Sequence, residues 1–213
     1  MDLVVATVFV PGDASTEDCI IIVSEQHGLI KVKTTGAEVA RQKPEKNAIY
    51  VHGELIGGVL YILDNGNCCV RTYDPVTLQP RPERFGRRPP DAGADAMPYF
   101  DIDDECQPVF EDDGGGFMPP LHVETYEPDV LIETYAVRAH PEGAMVVDAS
   151  RRRIVVFRPT AQGGEIVKAY EDLGKPGGPF DALCQGGFLW VVSGETVALR
   201  DLADGKELCP DHM

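Results

Sequence analysis

The sequence predicts an all-β chain, and three observations carry that prediction. Helical 3.6-residue periodicity is nearly absent. The apolar residues fall instead in short β-branched and aromatic runs, such as Val59–Leu63, Ile154–Phe157 and Phe188–Val192, bounded by Gly, Asp or Asn. These runs recur at a fixed interval. Anchors at Asp18, Gly58, Ala144 and Gly187 are separated by 40, 86 and 43 residues, and the middle gap is two periods. Repeats of roughly 40 to 50 residues with four short strands each are the mark of a β-propeller blade. Five such units fill the 213 residues as one domain, residues 1–213, with a degenerate third unit centred near residue 101.

The elements follow in order. The first unit has an apolar run from Leu3 to Val10, a second from Asp18 to Val23, a turn at Gln26-His27-Gly28 and a third run from Leu29 to Thr34. The second unit has Ala48 to Val51, then Gly57 to Leu63. A hairpin turn is expected at Asp64-Asn65-Gly66-Asn67, because Asn and Gly tolerate positive φ, and Val70 to Thr77 follows. The next clear unit has Ile132 to Val137, Gly143 to Asp148 and Ile154 to Thr160. The last has Phe180 to Leu183, Gly186 to Val192 and Val197 to Leu202, with Asp204-Gly205 turning into Lys206-Glu207-Leu208. Trp190, the single tryptophan, aligns with Ile21, Tyr61 and Val147 and is expected to pack in a core or between blades.

Charge is concentrated. The net charge is −16, and no Lys or Arg lies between Arg88 and Arg138, an interval holding 13 acids. Residues 89–137 are expected to form the degenerate acidic blade with an insert. The acidic balance argues against nucleic acid and anionic membrane as partners, since the phosphate contribution would be repulsive. Just before this segment, residues 79–97 form a Pro-rich stretch expected to be an exposed basic loop, with Arg81, Arg84, Arg87 and Arg88 as candidate docking residues. Asp101, Asp103, Asp104 and Glu105 are candidate ligands for Ca²⁺ or Mg²⁺, which prefer clustered carboxylate oxygens. An EF-hand is excluded, because Cys106 stands where the turn needs glycine. No cofactor is otherwise expected.

Motifs for chemistry are sparse. No two of the five histidines lie within ten residues of each other, and there is no G-x-S-x-G, phosphate-binding loop or G-x-G-x-x-G. The six cysteines lack a C-x2-C pair, so reduced thiols are expected, with adjacent Cys68 and Cys69 on opposite faces of a strand. The N-terminus lacks the basic region of a secretory signal, and no apolar run reaches the roughly 20 residues of a membrane span. An intracellular setting, cytoplasmic or nuclear, is the expectation. The repeat register puts Lys33, Tyr73, Arg158 and Arg200 at equivalent third-strand positions, a candidate ring for an anionic ligand or acidic peptide.

Gly57-Gly58-Val59-Leu60-Tyr61 followed by Thr72-Tyr73-Asp74-Pro75-Val76-Thr77 resembles a kelch repeat, with its glycine doublet, following aromatic and Tyr-Asp-Pro-x-Thr turn. It departs from kelch where a Trp should follow the Thr, near Pro80. Gly186-Gly187-Phe188-Leu189-Trp190-Val191 with Asp201 and Gly205-Lys206 resembles the looser blades of quinoprotein-like or F-box-associated propellers. The resemblance implies a propeller fold and leaves the activity open. The expected function is a non-enzymatic scaffold binding a protein partner. The competing expectation is a small-ligand, carbohydrate or metal-binding propeller enzyme with a polar site at the axis.

Overall fold

The computed structural model describes residues 3–12, 17–88, 127–173, 178–194 and 196–208. These residues form fifteen strands in four antiparallel sheets. The first sheet is β1 (Val4–Val10), β2 (Cys19–Ser24), β3 (Gly28–Lys33) and β4 (Glu38–Gln42). The second is β5 (Tyr50–Ile56), β6 (Val59–Asp64), β7 (Cys69–Tyr73) and β8 (Pro80–Phe85). The third is β9 (Thr134–His140), β10 (Gly143–Asp148), β11 (Arg153–Arg158) and β12 (Glu165–Tyr170). The fourth is β13 (Asp181–Gln185), β14 (Phe188–Ser193) and β15 (Thr196–Asp201). Each sheet is a meander in which strands pair in sequence order. The only helix among the described residues is one 3-10 turn, Asn65–Asn67, and none is long and apolar enough to cross a membrane.

All four repeat anchors fall at the start of a second strand, β2, β6, β10 and β14. These strands lie in the interior of their sheets, β6 and β10 buried on both faces and β2 and β14 on one, which is why their apolar pattern is the most continuous in the chain. Two of them are entered through glycine doublets. Gly57 and Gly58 have φ of 57° and 78°, and Gly186 and Gly187 have 63° and 83°. Ile56 pairs with Val59 and Gln185 with Phe188, so each doublet is a two-residue hairpin loop. Positive φ at both positions gives the type I′ twist that matches the flanking strands.

The sheets stack face to face. First strands of successive sheets contact each other, β1 on β5, β5 on β9 and β9 on β13, which sets them around a common axis. Three apolar cores fill the junctions. Val8, Ile21, Val23 and Leu29 meet Tyr50, Leu60, Ile62 and Tyr73. Tyr61, Leu63, Val70 and Phe85 meet Val137, Val146, Val155 and Phe157. Met145, Val147, Ile154 and Val156 meet Ala182, Leu189 and Val191. In the second junction Phe85 stacks on Phe157 with ring centroids 4.2 Å apart. The middle sheets are thus buried on both faces. This is the propeller-like, all-β architecture expected from the repeat.

Several expectations need correction. The third unit, centred near residue 101, lies outside the described residues. The described sheets that flank it in sequence pack directly on each other. Residues 80–85, expected in a loop, form β8, the outer edge of the second sheet. An edge strand tolerates Pro80 and Pro82 because the donors that proline lacks are not all required there. The turn after β6 is the 3-10 turn capped by Asp64, whose carboxylate accepts from the Asn67 N–H at 3.2 Å. Its positive φ falls on Cys68, at 52°, not on Asn or Gly. Cys68 therefore sits in the turn and only Cys69 in the strand. The glycine at position 66 serves space instead: a Cβ there would lie 1.9 Å from the Asn47 carbonyl oxygen.

Candidate functional site: the charged axis and the open end faces

The first strands bring one charge cluster together from three sheets. Arg138 on β9 donates from Nε and Nη2 to both oxygens of Asp181 at the start of β13, at 2.9 and 2.6 Å. Its Nη1 donates to Glu54 Oε2 on β5 at 3.1 Å, and the Ala139 N–H donates to Glu54 Oε1 at 3.1 Å. All four carboxylate oxygens thus hold a donor. Burial opposes ionisation of Asp181. Hydrogen bonds from Arg138 and the Ala182 N–H, with the Arg138 charge, outweigh it and hold the carboxyl below its usual range. His52, also on β5, accepts from the Val137 N–H at 3.4 Å. Burial, assisted by the Arg138 charge, lowers its pKa to about 4, so it is neutral at physiological pH.

A cleft of about 330 Å³ opens where the β9–β10 and β13–β14 turns meet, lined by His140, Pro141, Cys184 and Leu202 among others. His140 Nδ1 accepts from the Glu142 N–H at 3.1 Å, which assigns the proton to Nε2, 3.1 Å from the Tyr170 hydroxyl. Tyr170 in turn donates to the Leu202 carbonyl at 2.7 Å. This relay joins the third sheet to the fourth, and both imidazole nitrogens are occupied within it. Burial pushes the Cys184 thiol up to about 11. The Cys69 thiol is likewise pushed up to about 12 by burial, so neither thiolate is populated at neutral pH. Cys19, Cys68, Cys69 and Cys184 are free thiols.

The residues singled out from sequence are distributed as follows. Lys33, Tyr73, Arg158 and Arg200 do occupy matching places at or beside the ends of β3, β7, β11 and β15. Third strands lie two strand spacings, about 10 Å, outward from the axial strands, so the four are spread around the outside of the axial charge cluster. Each is engaged near its own sheet. Lys33 pairs with Glu17 at 2.9 Å. Tyr73 is buried with its hydroxyl 2.8 Å from that of Tyr50. Arg158 donates to the Glu142 carbonyl at 3.2 Å, and Arg200 pairs with Glu207 at 2.9 Å.

Of the basic stretch, Arg81 lies 3.6 Å from Asp74 and Arg87 pairs with Asp129 at 2.9 Å. The backbone of Arg84 bridges to Thr160 of the third sheet. Arg88 donates to the Gly66 carbonyl at 3.4 Å. Asp101, Asp103, Asp104 and Glu105 lie outside the described residues. Among the described residues no group of three or more His, Cys, Asp or Glu could hold a metal ion. The axial network escaped sequence reading because its members sit in different repeats. One signal was present: Arg138 and Asp181 are 43 residues apart, one full period.

The most exposed apolar surface lies on the two terminal sheets. Trp190 is 39% exposed, whereas its repeat equivalents Ile21, Tyr61 and Val147 are 0%, 8% and 0% exposed inside the three junctions. Leu183 and Leu199 stand directly opposite Trp190 on the neighbouring strands, and Phe188 and Val197 lie on the same face. At the other end, the outer face of the first sheet carries Phe9, Ile20 and Val32 in one cross-strand row and Ile22 and Ile30 in the next. Phe9 is 56% exposed. Neither face has the polar alternation of a sheet built to meet water.

No family model and no curated protein matches the chain. Solved structures do. The computationally designed Ika8 protein aligns over 94% of this chain and 47% of its own, at TM-score 0.54 and 9% identity. BamB from Moraxella catarrhalis aligns over 98% of this chain and 53% of its own, at TM-score 0.53 and 11% identity. A protein of unknown function from Bacteroides caccae aligns over 90% and 56%, at TM-score 0.51 and 10% identity. The chain spans about half the length of these solved chains. At such identities the likeness is one of fold, and the fold shared is propeller-like, built of four-stranded antiparallel sheets.

Proposed function

We propose that this protein is a non-enzymatic binding scaffold whose ligand is another protein, engaged through the faces of its sheets. The observation that carries the reading is the exposure of Trp190 and its neighbours at a position buried in every other described repeat. Contiguous apolar sheet surface of this kind marks a protein interface, and Trp is the residue type most often dominant in such contacts. The axial charges support the same reading. Arg138 pairs with the carboxylates on either side of it, so the cluster clamps three sheets together. The net charge of −16 favours a protein over nucleic acid or an anionic membrane. The setting proposed is intracellular, where free thiols stay reduced.

The test is native mass measurement of the protein as recovered from its own cells. The reading expects a stoichiometric protein complex that Trp190→Lys dissociates while the melting temperature holds. Recovery as a lone chain, unaffected by Trp190→Lys, would refute it.

A further inference from the structure

We infer that the occupant of both open faces is a second copy of this chain, and that two copies close one ring. The inference rests on the scaffold reading above and names its partner. Every internal junction uses one pair of repeat positions. The forward position is Ile21, Tyr61 or Val147, each buried against the next sheet. The rearward position, one residue earlier in register, is Leu60, Val146 or Leu189, each fully buried against the preceding sheet. Trp190 is the one forward position in this set left open. Ile20 is the matching rearward position that is not buried. The two open faces are therefore complementary halves of the same junction, carried at opposite ends of one chain.

Number follows from size. The likeness takes in 94% and 98% of this chain but only 47% and 53% of the designed protein and of BamB, so two copies of this chain supply a ring of that size. Setting Trp190 of one copy against Ile20 and Ile22 of the other, and the reverse, gives a twofold axis along the propeller axis. Every described sheet then has two neighbours and no described apolar face is left over, which is the closure that stops growth at a dimer.

Charge does not oppose the contact. On the first sheet, Arg41 and Glu38 beside the patch are paired with each other at 2.7 Å. On the fourth, Asp201 at its rim already accepts the Ala203 N–H at 2.7 Å. The patches between them are apolar, so the junction buries no new unpaired charge.

The test uses the purified chain alone. Sedimentation equilibrium should give twice the 23.2 kDa chain mass. Because Trp190 is the single tryptophan, its fluorescence reports the junction directly. Emission should be blue-shifted and shielded from acrylamide in the dimer, then shift red and become quenchable on dilution. Trp190→Lys and Ile22→Lys alter opposite ends, and each should give a monomer with an unchanged far-ultraviolet circular dichroism spectrum. If one variant fails to fold, the other carries the same prediction. A wild-type monomer with a quenchable tryptophan overturns the inference, as does a polymer larger than a dimer. If that monomer nonetheless forms a stoichiometric complex with a different protein, the scaffold reading survives and only the second copy is refuted.

Discussion

Arg138 grips Asp181 with two parallel hydrogen bonds, at 2.9 and 2.6 Å, across the gap between the third and fourth sheets. The same guanidinium reaches Glu54 on the second sheet, so one side chain holds three axial strands in register. A bidentate guanidinium–carboxylate pair fixes geometry as well as energy, which a lysine cannot do. Arg138→Gln should lower stability by about 1.5–3 kcal/mol in urea titrations, the range for hydrogen bonds to charged groups. Wild-type stability should also fall as pH drops through the lowered pKa of Asp181, because the unfolded carboxyl takes up its proton first. In Arg138→Gln that acid dependence should be weaker. An unchanged urea midpoint would mean the cluster is a bystander.

The histidine beside it gives a second pH signature. His52 has a folded pKa of about 4 against an ordinary 6.5, set first by burial and then by the Arg138 charge. Between those values the unfolded chain binds the proton and the folded one does not. Stability is fully present above pH 6.5 and is lost as pH falls toward 4. At about 1.4 kcal/mol for each unit of pKa difference, this amounts to a loss of about 2 kcal/mol between pH 7 and 5. The difference between wild type and His52→Gln, measured by denaturant unfolding at both pH values, should isolate that contribution. Parallel pH profiles for the two proteins would contradict it.

What could be read in the sequence was the part whose physics is local. The second strands of the two middle sheets are buried on both faces, so Leu60–Leu63 and Val146–Val147 are unbroken apolar runs, and Ile20–Val23 of the first sheet is another although its outer face is open. The glycine doublets mark turns that need positive φ at two adjacent residues. The outer strands were harder. β8, Pro-Arg-Pro-Glu-Arg-Phe, has the composition of a loop, and only its pairing with β7 makes it a strand. The axial cluster was hidden because Glu54, Arg138 and Asp181 meet only when sheets stack, 84 and 43 residues apart in the chain. Trp190 was rightly placed in register but not in environment. Its equivalents are covered by a following sheet, and no described sheet follows β15.

The glycines separate two kinds of constraint. At Gly58, φ is 78° and nothing lies within 4 Å of an added Cβ, so the only cost of a side chain is backbone strain. Gly58→Val should therefore destabilise by about 1–2 kcal/mol, while Gly58→Asn, which tolerates the left-handed region, should cost far less. At Gly66 the constraint is space, with the Asn47 carbonyl 1.9 Å from an added Cβ. There Asn and Ala should be equally damaging. Thermal melts of the four variants would show whether the ranking at 58 disappears at 66.

Arg153 and Asp148 form the most deeply buried ion pair described, with side-chain exposures of 3% and 0% and a separation of 2.9 Å. Arg153 also donates to the carbonyls of Pro128 and Val130 at 2.9 and 3.1 Å, tying the segment before β9 to the third sheet. Burial raises the Asp148 pKa even though the guanidinium opposes the shift. Arg153→Met removes the cation from a buried carboxylate and the Arg153 donor from two carbonyls, of which Val130 keeps a bond from Arg151 at 3.3 Å. The expected loss is about 3–5 kcal/mol, the range for breaking one side of a buried pair. Its pH dependence has a definite sign. With its folded pKa raised further, Asp148 must be neutral to stay buried, so the variant should weaken as pH rises from 5 to 8. Asp148→Asn in the same background removes the charge and should flatten that profile and restore part of the stability. If the double variant is no more stable than Arg153→Met at pH 8, the loss comes from the severed carbonyl contacts and not from the stranded charge.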